Sequence, residues 1–94
     1  MFVLHVELKV KSGAQADLEK TFVQNFYPAI SEQGGFLTAQ LLHSTDDAST
    51  YRLCLSFDKR DSQQRWVATD LHQQVWPLVE DLCENYAVSG YTAI

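Results

Sequence analysis

Hydrophobic residues fall at every second position from Phe2 to Val10 and then, from Leu18 to Ile30, at every fourth. The first spacing puts Phe2, Leu4, Val6, Leu8 and Val10 on one side of an extended chain, with Val3, His5, Glu7, Lys9 and Lys11 on the other. That is a β-strand with one buried and one mixed face. The second spacing lines up Leu18, Phe22, Phe26 and Ile30 along a helix. A period that changes this abruptly calls for a sheet with a helix laid against it.

The residues between these patterns mark the element ends. Ser12 and Gln15 read as a capping box for the first helix. Pro28 removes a donor near its end and bends it, and Gly34 and Gly35 supply the left-handed conformations that stop it. A second strand is predicted over residues 36–44, then a polar hairpin loop over 45–49. In the third strand Tyr51, Leu53, Leu55 and Phe57 alternate with Arg52, Cys54 and Ser56. A second helical stretch starts near Asp58 or Asp61, either of which can cap it, and runs through Trp66, Leu71, Val75 and Val79 to Leu82. Pro77 cannot sit in it without losing a hydrogen bond, so two helical pieces or a kink are expected there. Residues 86–94 read as a fourth strand.

Strand, helix, strand, given twice, is the ferredoxin-like βαββαβ arrangement. It is an α+β fold, a four-stranded antiparallel sheet with both helices on one face. Its 94 residues make one domain, 1–94. The sheet's other face, with Val3, His5 and Glu7 beside Arg52, Cys54 and Ser56, is too mixed for a core and too apolar for plain solvent. A second copy's sheet would cover it, so a homodimer through this face is expected.

Seven basic and twelve acidic residues give a net charge of −5 with no Lys/Arg stripe, which argues against nucleic acid and anionic membranes as partners. No apolar run approaches the roughly 18 residues of a membrane span, and no secretory signal pattern opens the chain, so a cytoplasmic protein is expected. Cys54 and Cys83 lack CxxC spacing and read as buried small hydrophobes rather than a redox pair. There is no phosphate-binding Gly-rich loop, no GxSxG and no Cys–His motif.

The run from Gly34 through Phe36, Gln40 and His43 to Asp47, then Tyr51 to Asp58, then Trp66 with His72, resembles the antibiotic biosynthesis monooxygenase family. The resemblance covers nearly the whole chain. It implies a dimeric α/β barrel with one cavity per subunit, between sheet and helices. It also implies, for some members, oxygenation of polycyclic phenols or quinols without metal or flavin, and no metal, flavin or haem is expected in this protein. The haem-degrading branch uses an Asn on the first strand, a Trp on the second helix and a His ten residues later. Here Trp66 matches, but Val6 and Trp76 occupy the other two positions, so haem degradation is rejected.

On this resemblance Trp66 and His72 are the catalytic candidates and Trp76 the substrate-binding one. Trp66 would donate its indole N–H to a substrate oxygen, or else simply pack on the sheet. His72 would accept a proton, since imidazole titrates near neutrality, or else merely occupy the first turn of a helical piece begun at Thr69 or Asp70. His72 and Trp76, four apart, share a helix face. His5 belongs with the dimer face, and His43 faces either cavity or solvent. The three histidines sit on separate elements with no ligand spacing, so no metal site is expected. The expected function is a cofactor-independent monooxygenase acting on a small aromatic quinol or phenol. The alternative is a non-catalytic dimeric ligand-binding or accessory module. An open pocket of about 300 Å³ or more at His72 would favour the enzyme.

Overall fold

The computed structural model describes residues 1–94. Strands β1 (Phe2–Val10), β2 (Phe36–His43), β3 (Thr50–Phe57) and β4 (Cys83–Thr92) form one antiparallel sheet in the order β2-β3-β1-β4. Helices α1 (Gln15–Thr21) and α2 (Tyr27–Ser31) follow β1, and α3 (Arg60–Val67) and α4 (Asp70–Glu80) follow β3. This is the expected ferredoxin-like α+β fold. No helix is long and apolar enough to cross a membrane.

The alternation in β1 and β3 decides which way the sheet faces. Val6, Leu8 and Val10 are buried with Tyr51, Leu53, Leu55 and Phe57 against Leu18, Phe26, Ile30, Trp66, Val75 and Val79 of the helical layer. The register pairs Leu4 with Leu55 and Val6 with Leu53 on this side, and His5 with Cys54 and Glu7 with Arg52 on the other. A one-residue slip would invert every one of these positions, so the core itself fixes the register.

Four element boundaries differ from expectation, each for a local reason. Ser12 does not cap α1: Gly13 turns at φ +83°, Ala14 is the N-cap, and the Gln15 amide instead donates to the Ala48 carbonyl at 3.3 Å. The irregularity near Pro28 is a π-helical turn over Phe22–Phe26, where the Tyr27 N–H reaches back to the Phe22 carbonyl. It lies just ahead of the proline, which has no N–H to offer the preceding turn. The second helical stretch breaks at Ala68–Thr69, and α4 runs on through Pro77. The break falls at the Thr69 start weighed for the His72 turn and not at Pro77, because Thr69 is extended and caps α4 with its own hydroxyl. β4 starts at Cys83, earlier than expected, because Cys83 pairs with Val10 across a register shift.

Candidate functional site

A cavity of about 250 Å³ lies between the helix-facing side of the sheet and α3 and α4. Leu4 and Val6 of β1 with Leu53 and Leu55 of β3 line it from the sheet. Phe26 of the π turn, Gln63, Trp66 and Val67 of α3, and His72 and Trp76 of α4 line it from the helices. Tyr86 and Val88 of β4 complete it and are 41% and 54% exposed, which opens the cavity at the sheet edge. Ten of the twelve lining residues are hydrophobic; Gln63 and His72 are the other two.

Thr69 holds the two helical pieces together at the cavity wall. Its hydroxyl donates to the Trp66 carbonyl at 2.7 Å and accepts the His72 backbone N–H at 3.1 Å. One side chain thereby ends the turn that carries Trp66 and begins the turn that carries His72. The two rings meet edge to face, centroids 5.1 Å apart at 84°. Trp76 lies 6.5 Å from His72 and near-parallel at 16°, and meets Tyr86 edge to face at 5.1 Å. Phe26 abuts the far side of Trp66 at 6.1 Å and 83°, so aromatic rings run unbroken from the π turn to β4. Such edge-to-face pairs each add about 0.5–1.5 kcal/mol beyond burial, which stiffens the wall.

α3 is anchored from below. The buried Ser62 hydroxyl donates to the Asp58 carboxylate at 2.5 Å and accepts from the Arg65 guanidinium at 3.0 Å. The Ser62 bond, ahead of other contacts, holds the Asp58 carboxyl below its usual range. The N-cap of α3 is Lys59, so neither Asp58 nor Asp61 caps it in the expected way.

Burial lowers the His72 pKa below its ordinary value, and the positive end of α4 acts in the same direction. No Asp, Glu, Lys or Arg lines the cavity to oppose this. The Gln73 amide nitrogen lies 3.2 Å from His72 Nδ1 and donates to the Val67 carbonyl at 3.0 Å. The Trp66 ring is almost wholly buried, yet His5 Nδ1 is the only buried side-chain nitrogen or oxygen without a partner.

The family model for antibiotic biosynthesis monooxygenases matches residues 1–76. The chain belongs to this family. Among solved structures, the antibiotic biosynthesis monooxygenase fold recurs in a point mutant of SnoaB, a cofactor-independent oxygenase from Streptomyces nogalater. That structure aligns over 98% of this chain and 91% of its own, with 21% identity and a TM-score of 0.88. A Nitrosomonas europaea protein assigned to the antibiotic biosynthesis monooxygenases aligns over 100% and 99%, with 20% identity and a TM-score of 0.85. One from Bordetella bronchiseptica aligns over 99% and 97%, with 18% identity and a TM-score of 0.88. At these identities the likeness concerns the fold. No curated protein matches the chain.

In this family member the three candidates singled out from sequence, Trp66, His72 and Trp76, come together around one cavity. His43 does not join them: it stacks flat on Tyr51 at 4.0 Å, and its Nε2 pairs with the Ala48 carbonyl. His5 lies on the open sheet face, its ring 5.0 Å from Tyr91. No group of three His, Cys, Asp or Glu side chains is placed to hold a metal. Gln63 was not foreseen. The available signal was its position three residues before Trp66 on the same helix, which sets the two side by side. Tyr86 and Val88 were also missed as lining, since they share the cavity only through their pairing with Leu8 and Val6.

Proposed function

We propose that this protein is a cofactor-independent oxygenase of a small aromatic phenol or quinol, bound in the cavity between sheet and helices. The observation that carries the reading is an apolar, ring-lined cavity in which only a few polar groups, on His72, Gln63, Tyr86 and the Trp66 and Trp76 indoles, are offered to orient a ligand. Trp66 and Trp76 would hold a flat ring and exclude water, and His72 would contact its oxygen.

The chemistry balances without an added reductant. An ionised phenol passes one electron to O₂, and the superoxide and aryloxyl radical combine at a ring carbon bearing hydrogen. The peroxide takes up the proton that the phenol released and then loses water, leaving a carbonyl. One oxygen atom enters the product and the other leaves as water. The protein's part is to desolvate, orient and stabilise charge.

The test is oxygen uptake by chelator-treated protein with a panel of one- and two-ring hydroquinones. Uptake should track product formation, and Trp66→Phe and His72→Ala should lower kcat/KM while the fold is kept. One observation favours a second reading. The cavity, at about 250 Å³, falls below the roughly 300 Å³ at which small-molecule sites usually begin. A panel that binds without any uptake above the uncatalysed rate would make the protein a ligand-binding or accessory module.

The reading includes a homodimer through the open sheet face. That face carries Val3, His5 and Tyr91 around the Glu7–Arg52 ion pair of 2.6 Å, a surface that two-fold pairing would cover. Light scattering should report a dimer at micromolar concentration; a monomer removes this part of the reading. The reading places the protein in the cytoplasm, where Cys54 and Cys83, on opposite sides of the sheet and unable to pair with each other, would stay thiols.

A further inference from the structure

We infer that Gln73 fixes His72 as the tautomer protonated on Nε2, so that His72 meets its ligand as a hydrogen-bond donor and the cavity selects an aromatic whose oxygen is already ionised. The inference rests on the reading of the cavity as an aromatic-ligand site and assigns the chemical class of that ligand.

The Gln73 amide decides the tautomer. Its nitrogen is within 3.0 Å of the Val67 carbonyl, which can only accept, so the NH₂ end and not the oxygen must point there. The same nitrogen is 3.2 Å from His72 Nδ1. An amide NH₂ has two hydrogens and no lone pair to offer, so the second hydrogen can only be donated to Nδ1. Nδ1 must then carry a lone pair. The ring proton of a neutral imidazole is left to Nε2.

Three further features support this. Protonation of Nδ1 would set N–H against N–H, and both the burial of the ring and its place in the first turn of α4 disfavour the imidazolium. No side chain in the cavity compensates, because Tyr86 is the only other ionisable group along its walls. Nε2 has no partner in the chain, yet it is not a sealed orphan, since His5 Nδ1 is the only buried unpartnered nitrogen. It is accessible to water or ligand, on a ring that lines the cavity.

A ring that offers N–H cannot take a proton through that same atom, and its other nitrogen is occupied. This replaces the proton-acceptor role expected of His72 with a donor role. The site then has no side-chain base to ionise a weakly acidic phenol. It favours phenols, enols or quinols acidic enough to arrive as anions, whose oxygen gains a charge-assisted hydrogen bond from Nε2–H. Gln73, outside the cavity, is a positioning residue.

The experiment reads the tautomer directly and needs no turnover. Long-range ¹H–¹⁵N correlation spectra of the full chain at pH 8 should show His72 Nε2 protonated and Nδ1 bare. Gln73→Glu, whose carboxylate accepts at Nδ1, should move the proton to Nδ1 or charge the ring; Gln73→Met, which offers no donor, should leave a mixture. An unchanged His72 signal in Gln73→Glu overturns the assignment. In the second arm, 4-nitrophenol as its anion and phenol, neutral at that pH, are titrated against both wild type and variant, so that the nitro group's own contribution cancels. The wild type should favour the anion by about tenfold or more, and Gln73→Glu should lose that preference. A wild type that prefers phenol, or takes up neither probe, overturns the selection. Nitrophenolate binding with no oxygen uptake from the hydroquinone panel would defeat the oxygenase reading and leave this one standing.

Discussion

Two adjacent glycines should respond very differently to the same substitution. Gly35 has φ +81°, and a Cβ built on it would overlap Ser62 Oγ and Asp58 Oδ1 and lie 2.6 Å from Ser62 Cβ. Neither neighbour can move away cheaply. Ser62 is 1% exposed, and its hydroxyl is bonded to the Asp58 carboxylate, while the Asp58 N–H donates to the Gly35 carbonyl at 2.8 Å. Left-handed backbone costs a residue with a Cβ about 1–2 kcal/mol, and the overlap adds about 1–3 kcal/mol. Gly35→Ala should therefore lose about 2–5 kcal/mol, a fall in Tm of at least about 10 °C for a domain of this size. Gly34 has nothing within 4 Å and no positive φ. Gly34→Ala should stay within about 0.5 kcal/mol of the parent. Thermal and urea unfolding of the two variants side by side is the assay, and midpoints within about 2 °C of one another would refute the reasoning. Because Ser62 anchors the helix that carries Gln63 and Trp66, Gly35→Ala should also weaken ligand binding at temperatures where it remains folded.

The His72 pKa is lower folded than unfolded, so the unfolded chain binds more protons just below pH 6.5. Stability should be full above that pH and fall as pH drops toward the folded value, and His72→Gln should flatten this slope in urea titrations at a series of pH values. Burial, followed by its bond to Glu19 at 2.5 Å, pushes the Tyr51 phenol up to about 12. Stability should therefore decline as pH rises from about 10 to 12, a decline that Tyr51→Phe removes at a cost of about 0.5–1.5 kcal/mol near neutrality. Lys9→Ala breaks an exposed ion pair with Asp47 at 3.0 Å and should change stability by less than about 1 kcal/mol by the same assay.

The sheet was legible because its burial is binary: each residue of β1 and β3 faces core or not, and period two records this directly. Part of the cavity's helical wall was legible for a similar reason, since His72 and Trp76 are four apart on one helix, while Trp66 joins them from the helix before the break. Its sheet-edge opening was not, because Tyr86 and Val88 reach it through long-range pairing that no local pattern encodes. Two places for the break between α3 and α4 were readable: Pro77, where a backbone donor is missing, and a fresh start at Thr69 or Asp70. It lies at Thr69 because a capping hydroxyl there satisfies two backbone groups at once. A proline inside a helix loses one bond, and packing of Val75 and Val79 into the core holds the helix through it. Ser12 misled because a hydroxyl at the right spacing caps only if the chain between is helical, and Gly13 turns it aside.

The π turn alters how the spacing of the first helical segment should be read. Each residue of an α-helix advances the face by about 100°, so side chains four apart drift by about 40°. Across the three steps from Leu18 to Ile30 that drift would reach about 120°, enough to swing Ile30 out of the core. The extra residue in the π turn takes back about 100° of it. Leu18, Phe26 and Ile30 consequently stay in phase, at 0%, 1% and 0% exposure. The run of strict fours is thus the written form of the π turn, and it behaves like an inserted residue that the packing now depends on. Forcing the turn into a regular helix without shortening the chain would throw Ile30 out of phase by about 100°, whereas deleting one residue within Phe22–Phe26 would restore a regular helix and leave Ile30 facing the core.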